Sequence, residues 1–260
     1  MDLSELTEAR YELVISVDAR RSGEYDDIDK ARMRARTYRV VETAFTHAKV
    51  ARDAVHMEDR GDGVLLSVSA RIPVSRLLGL WLVELHENLR DENRALRVPL
   101  GLRIGMHVGP VRHDGRGISG RAVDLACRLA DSAVARQLLD AEGADLVVVT
   151  SGSLYEDVVS GGGKFIEPAR YVSARLTLKE GETTAWFQLP GRSAPTIGGG
   201  GGGPVAGATG STPRPYVPVV DRVVDPVVNS HTSYTAHRDM SVHTGDTYQN
   251  VRFESKGGEE

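Results

Sequence analysis

The sequence predicts an α+β sandwich, a mostly antiparallel sheet with flanking helices, followed by a flexible tail. Three observations carry that prediction. Seven strand-like runs fall at 11–18, 54–59, 63–69, 100–108, 145–150, 165–175 and 183–189, and helical segments separate the first five in the order βα-ββ-αβ-αβ. The tripeptide Gly61-Asp62-Gly63 joins two of these runs as a hairpin turn, which makes them antiparallel neighbours. At Pro190 the character changes: Gly191–Ile197 leads into six glycines at 198–203, then a Pro-, Ala-, Gly-, Ser- and Thr-rich stretch up to Tyr216.

Each helix follows from periodicity. In 28–49, Val41, Ala44, Phe45 and Ala48 recur at i, i+3, i+4 and i+7 and share one face. The segment 73–92 has Pro73 near its start and an apolar stripe of Leu77, Leu78, Trp81, Leu82 and Leu85. A third helix is expected over 119–139, with Val123–Ala130 inside it. The chain therefore divides into a globular unit over 1–190, a flexible linker over 191–216 and a polar tail over 217–260. The tail has β-prone pieces at 217–220, 223–228 and 251–253, but too few large apolar residues for a core of its own.

Composition narrows the function. The 260 residues carry a net charge of −4, which disfavours non-specific nucleic-acid binding. A single cysteine, Cys127, rules out an internal disulfide and a cysteine-based zinc site, and fits a reducing cytoplasm. No apolar run reaches the roughly 18 residues of a membrane span, and the start, Met1–Leu6, lacks the regions of a signal peptide. The expectation is a cytoplasmic protein with no nucleic-acid or membrane partner.

Two carboxylates stand out. Asp18 ends the first strand-like run and Asp62 sits in the hairpin turn, 44 residues later (62 − 18 = 44), with a helix between them. A β-α-β path of that length can bring the second strand back beside the first. Hard oxygen ligands at two strand tips suit Mg²⁺ or Mn²⁺. Two such ions about 3.5–4 Å apart can activate an attacking oxygen and stabilise a leaving one. Taken singly, Asp18 is a strand-end residue and Asp62 a turn residue. On the third helix, Asp124 and Arg128 are four apart and share a face, as an intrahelical ion pair or as a ribose contact and a phosphate-charge stabiliser. His107, Trp81 and Trp186 read as structural, and Cys127 as a small packing residue. His231, His237 and His243 recur every six residues, which is no metal-binding spacing.

The succession of Asp18, Glu58-Asp59-Arg60-Gly61-Asp62-Gly63, Leu102–Val111 ending in Gly109-Pro110-Val111, and Gly120–Leu129 with Val123-Asp124 and Arg128 resembles the class III nucleotidyl (adenylate/guanylate) cyclase domain. The resemblance covers about residues 8–190. It implies a ferredoxin-like sandwich acting as a head-to-tail homodimer on a nucleoside triphosphate, giving a 3′,5′-cyclic nucleotide and pyrophosphate. In it, Asp18 and Asp62 of one protomer hold two Mg²⁺ or Mn²⁺ ions. Arg128 of the other stabilises the α-phosphorus, Asp124 lies by the ribose, and Lys179 contacts the triphosphate. Glu58 occupies the base-reading position where guanylyl cyclases carry Glu and adenylyl cyclases Lys.

The chain departs from that pattern in three places. Asp124 stands where the family usually has Asn, so a donor is replaced by an acceptor. Ala19-Arg20-Arg21-Ser22-Gly23 replaces the usual phosphate loop, with Arg20 and Arg21 as candidate phosphate contacts. The companion base-reading position falls near Gly117, which has no side chain. Divergent bacterial cyclases of antiphage defence, which make cyclic CMP or cyclic UMP, are similar in their metal and arginine positions. The rival reading is a non-catalytic, cyclase-like adaptor. The tail's Val242-x-x-Gly245-Asp246-x-x-x-x-Val251 run resembles short bacterial homotypic interaction motifs and implies a protein partner recruited through 217–260.

Overall fold

The computed structural model describes residues 8–141, 143–179, 181–197, 240–244 and 247–251. The chain divides into two units, Met1–Thr209 and Gly210–Glu260. In the first unit the strands are β1 (Arg10–Ala19), β2 (Val55–Asp59), β3 (Gly63–Val68), β4 (Leu102–Asp114), β5 (Gly117–Ser119), β6 (Leu146–Ser151), β7 (Val172–Leu178) and β8 (Gly181–Gln188). The helices are α1 (Asp27–His47), α2 (Val74–Arg76), α3 (Leu82–Asn93), α4 (Arg121–Ala130), α5 (Ala133–Ala141) and α6 (Gly152–Leu154). A π-helical turn, Leu77–Trp81, joins α2 to α3. The strands form one sheet in the order β2-β3-β1-β4-β6-β8-β7, with β5 paired to β4. Every pair is antiparallel except β4 with β6.

Strand alternation splits the apolar residues between the two faces. Leu13, Ile15 and Val17 of β1 join the cluster that includes Val41, Ala44 and Phe45 of α1 and Leu82, Leu85 and Leu89 of α3. Trp81 is fully buried there and stacks on Phe45 with ring centroids 5.1 Å apart. Val14 faces the other way, into a smaller cluster with Leu65, Val111 and Ala122, Val123 and Ala126 of α4. A Cβ on Gly105 would collide with the Ala126 carbonyl, so glycine at this β4 position lets α4 lie directly on the strand. That close seat fixes the helix over the ends of β1 and β4.

The β2–β3 turn is built as its sequence predicts. Gly61 has φ +85°, Asp59 Oδ1 accepts from the Gly61 amide at 2.7 Å, and the Arg60 amide donates to the Gly63 carbonyl at 3.0 Å. Helix α1 starts at Asp26, whose side chain accepts from the Asp29 amide at 2.8 Å.

Two expectations are corrected, and one further strand is added. The helix expected over 119–139 is two helices, because Ser132 caps the second: its Oγ accepts from the Ala135 amide at 3.3 Å. The strand expected over 165–175 begins only at Val172, since Pro168 opens a 3₁₀ turn and can donate to no ladder. The short strand β5, which folds Gly117–Ser119 back onto Arg112–Asp114, was not expected at all.

In the second unit, β9 (Met240–Thr244) and β10 (Thr247–Val251) pair antiparallel with Thr244 opposite Thr247. They fall on the Val242–Val251 run. The β-prone pieces at 217–220 and 223–228, the linker residues 198–216, and His231 and His237 lie outside the described residues. No described helix is long and apolar enough to cross a membrane.

Candidate active site

Register brings the two aspartates together. Asp18 stands opposite Gly63 in the β1–β3 pair, one residue after Asp62, and the Ala19 amide donates to the Asp62 carbonyl at 3.2 Å. A Cβ at Gly63 would collide with the Val17 carbonyl, so glycine is what lets the hairpin close onto the end of β1. Both carboxylates line one open cleft of about 650 Å³, together with Arg103, Asp124, Cys127 and Asp131.

The electrostatics of Asp18 are strained. Burial pushes its carboxyl above the usual aspartate range; Arg103 opposes that shift, and the charges of Asp62 and Asp131 add to it. Arg103 lies directly opposite Asp18 in the β1–β4 register and bonds Asp18 Oδ2 through Nη2. Asp62 is exposed and accepts from Ser22 Oγ at 2.6 Å. Among the described residues no group of three or more His, Cys, Asp and Glu side chains is arranged to hold a metal ion. Two carboxylates facing an open cleft still fit Mg²⁺ or Mn²⁺, because such ions in nucleotide sites take one or two carboxylates and complete their shell with waters and substrate phosphates.

The remaining site residues are placed unequally. Asp124, on α4, lines the cleft of its own chain, and Arg128, one turn further along, is half-buried and is not among the residues lining it. Lys179 is exposed at the β7–β8 connection, at the far edge of the sheet. Arg20 does not offer its head to a phosphate: the guanidinium donates to the carbonyls of Leu139, Ala144 and Pro99 at 3.4, 3.3 and 3.2 Å. Arg21 has φ 52° and lies 3.5 Å from Asp140.

Glu58 and Gly117 lie against each other. Glu58 Oε1 takes the Ile118 amide and His56 Nε2, the latter at 2.9 Å, and Oε2 takes Arg60 at 2.9 Å. Gly117 has φ +138°, and a Cβ there would run into the Glu58 carboxylate. Beside it, buried Glu12 accepts from His113 at 2.8 Å, and the His113 and His56 rings meet edge to face at 5.3 Å. His107 is structural, bonded to Ser151 at 2.9 Å and held below the ordinary histidine pKa by burial.

Sequence reasoning missed Arg103 and Ser22. Both are ordinary residues until the strand register sets one against Asp18 and the loop sets the other against Asp62. Strand alternation alone would have put Arg103 on the α4 face of β4, but not opposite Asp18.

The fold has clear relatives among solved structures. An adenylate/guanylate cyclase/hydrolase from Silicibacter pomeroyi superposes with a TM-score of 0.54 at 15% identity, over 72% of this chain and 100% of its own. The guanylyl cyclase Cya2 gives 0.51 at 16%, over 73% and 98%. The catalytic core of a rhodopsin-guanylyl cyclase with converted specificity, in complex with ATPαS, gives 0.50 at 16%, over 70% and 97%. No family model and no curated protein sequence matches the chain. The fold is that of class III adenylate/guanylate cyclase domains.

Proposed function

We propose that this protein is a metal-dependent nucleotidyl cyclase, converting a nucleoside triphosphate to a 3′,5′-cyclic nucleotide and pyrophosphate. The observation that carries the reading is the convergence of Asp18 and Asp62 on one open cleft of a cyclase fold. In the reaction the ribose 3′-oxygen gives up its proton to water and bonds the α-phosphorus, while the bond from that phosphorus to the β-phosphate oxygen breaks and pyrophosphate leaves with those electrons. Two Mg²⁺ or Mn²⁺ ions, when bound with the nucleotide, supply the Lewis acidity for attack and departure. Asp18 and Asp62 are the residues that would hold them.

The chain's other residues orient and neutralise. In a head-to-tail homodimer the Asp124 carboxylate accepts a hydrogen bond from the ribose, and the planar fork of Arg128 meets the charge growing on the α-phosphate. Lys179 reaches the triphosphate from its exposed connection. Glu58 has three of its roughly four acceptor sites taken, which leaves one for a base N–H. The β9–β10 hairpin offers strand edges to a partner carrying a matching segment.

One observation favours the adaptor reading instead: both aspartates already have a partner within the chain, Arg103 for Asp18 and Ser22 for Asp62. The two readings part on pyrophosphate release by the purified full chain, with Mn²⁺ and each of the four NTPs in turn. Release with at least one NTP supports the cyclase; a folded protein that releases none is the adaptor.

A further inference from the structure

Arg103 is held in the site from two sides. Its side chain is only 9% exposed, Nη2 bonds Asp18, and Nε donates to the Ala130 carbonyl at the end of α4 at 3.1 Å. Asp131 also lies 4.0 Å from Nη2, but it bonds Arg136 more closely. One buried cation thus answers the charge of Asp18, and without it the burial that already strains this carboxylate would go uncompensated.

We infer that Arg103 is the resident counter-ion of Asp18, and that a divalent cation binds there only by displacing it. The inference rests on the reading of Asp18 and Asp62 as the metal-holding carboxylates. A guanidinium and a divalent ion compete for the same oxygen, and at contact distance in a partly dry cleft they repel each other strongly. Arg103 has a position to retreat to: it keeps its bond to Ala130 and has Asp131 within reach. A triphosphate entering with the ion brings the negative charge that satisfies both cations. The arrangement therefore keeps the site poor at taking up metal alone and makes metal and nucleotide bind together.

The test is a titration of the full chain with Mn²⁺ alone, read by electron paramagnetic resonance without nucleotide. Arg103→Gln is expected to bind Mn²⁺ at least about tenfold more tightly than the unaltered chain, while Arg103→Lys, which keeps the charge, stays within about threefold of it. A residue serving only the fold would not tighten metal binding when removed. Arg103→Gln binding no more tightly than the unaltered chain overturns the inference. Should that variant fail to fold, a crystal structure of the unaltered chain with Mn²⁺ decides. The Arg103 guanidinium is expected off Asp18 and still on the Ala130 carbonyl; finding it on Asp18 beside a bound ion contradicts the proposal. Absence of Mn²⁺ at Asp18 in every folded chain overturns the metal reading itself, and this inference with it.

Discussion

Glu12 and Glu58 are met by fixed donors, His113 for the first and His56, Arg60 and the Ile118 amide for the second, whereas Asp18 and Asp62 share an open cleft in which burial and the neighbouring carboxylates work against ionisation of Asp18. The two pairs belong to one sheet. The first is closed: imidazole, guanidinium and backbone amide surround the Glu58 carboxylate, and Gly117 leaves no gap. The second is open and held by single contacts that an incoming ligand can replace. Chemistry on a charged substrate needs the second kind of site, because a carboxylate held by several fixed donors has little left to exchange. The first kind supplies rigidity, and for Glu58 one remaining acceptor.

The largest effect should come from the open pair. Asp62→Ala is expected to lower turnover by at least about 10²–10³-fold. The melting temperature should hardly change, since Asp62 is exposed and its backbone contact to Ala19 is retained. Unchanged steady-state pyrophosphate release would remove Asp62 from the site. Next is the division of the site between protomers. Asp62→Ala and Arg128→Ala chains, each inactive alone, should recover about a quarter of normal activity when mixed: about half the dimers are mixed, each with one intact site of two. No recovery would place the whole site within one chain.

The closed pair should respond in stability first. Gly117→Ala forces a methyl group against Glu58 and should cost about 1–3 kcal/mol in denaturant melts. Glu58→Gln loses charge-assisted bonds to Arg60 and should cost a comparable amount, while shifting the relative rates with the four NTPs. A normal melt for both would show that this end is not the clasp it is taken for.

A smaller effect belongs to His107. Its folded pKa lies below the ordinary value of about 6.5, so on acidification the unfolded chain takes up its proton first. The stability it contributes is present above about pH 6.5 and is lost as pH falls through the lowered folded value. Replacing His107 by Gln should flatten the dependence of the melting temperature on pH on the acid side of about pH 6.5. An unaltered slope would show that His107 takes up its proton alike in the folded and unfolded chains. The smallest effect is expected from deleting residues 198–260, which should leave turnover within about twofold in dilute solution while removing association with any partner bound through the hairpin. A large loss of turnover would place the tail in the catalytic unit.

Much of the fold was legible because periodicity is local. The alternation of β1 and the stripe from Leu77 to Leu85 need no knowledge of the rest of the chain. What escaped were boundaries set by single polar contacts, as at Ser132 and Pro168, and the short strand β5, whose three residues are too few for a periodic signal. The site divides in the same way. Asp18 and Asp62 mark themselves by ending a strand and occupying a Gly-Asp-Gly turn. Arg103 and Ser22 gain meaning only from register and from the path of a loop, and Arg20, which the sequence offers as a phosphate contact, is claimed by three carbonyls from other segments.

The open aspartate pair is tested most directly by identifying the product. The full chain is incubated with Mn²⁺ and its preferred NTP, beside the Asp62→Ala chain, and the mixtures are analysed by mass spectrometry and phosphorus NMR. The account predicts a 3′,5′-cyclic nucleotide and pyrophosphate in equal amounts from the unaltered chain and neither from the variant. Cyclic product at equal rates from both chains, or a folded unaltered chain that forms none from any of the four NTPs, would contradict it.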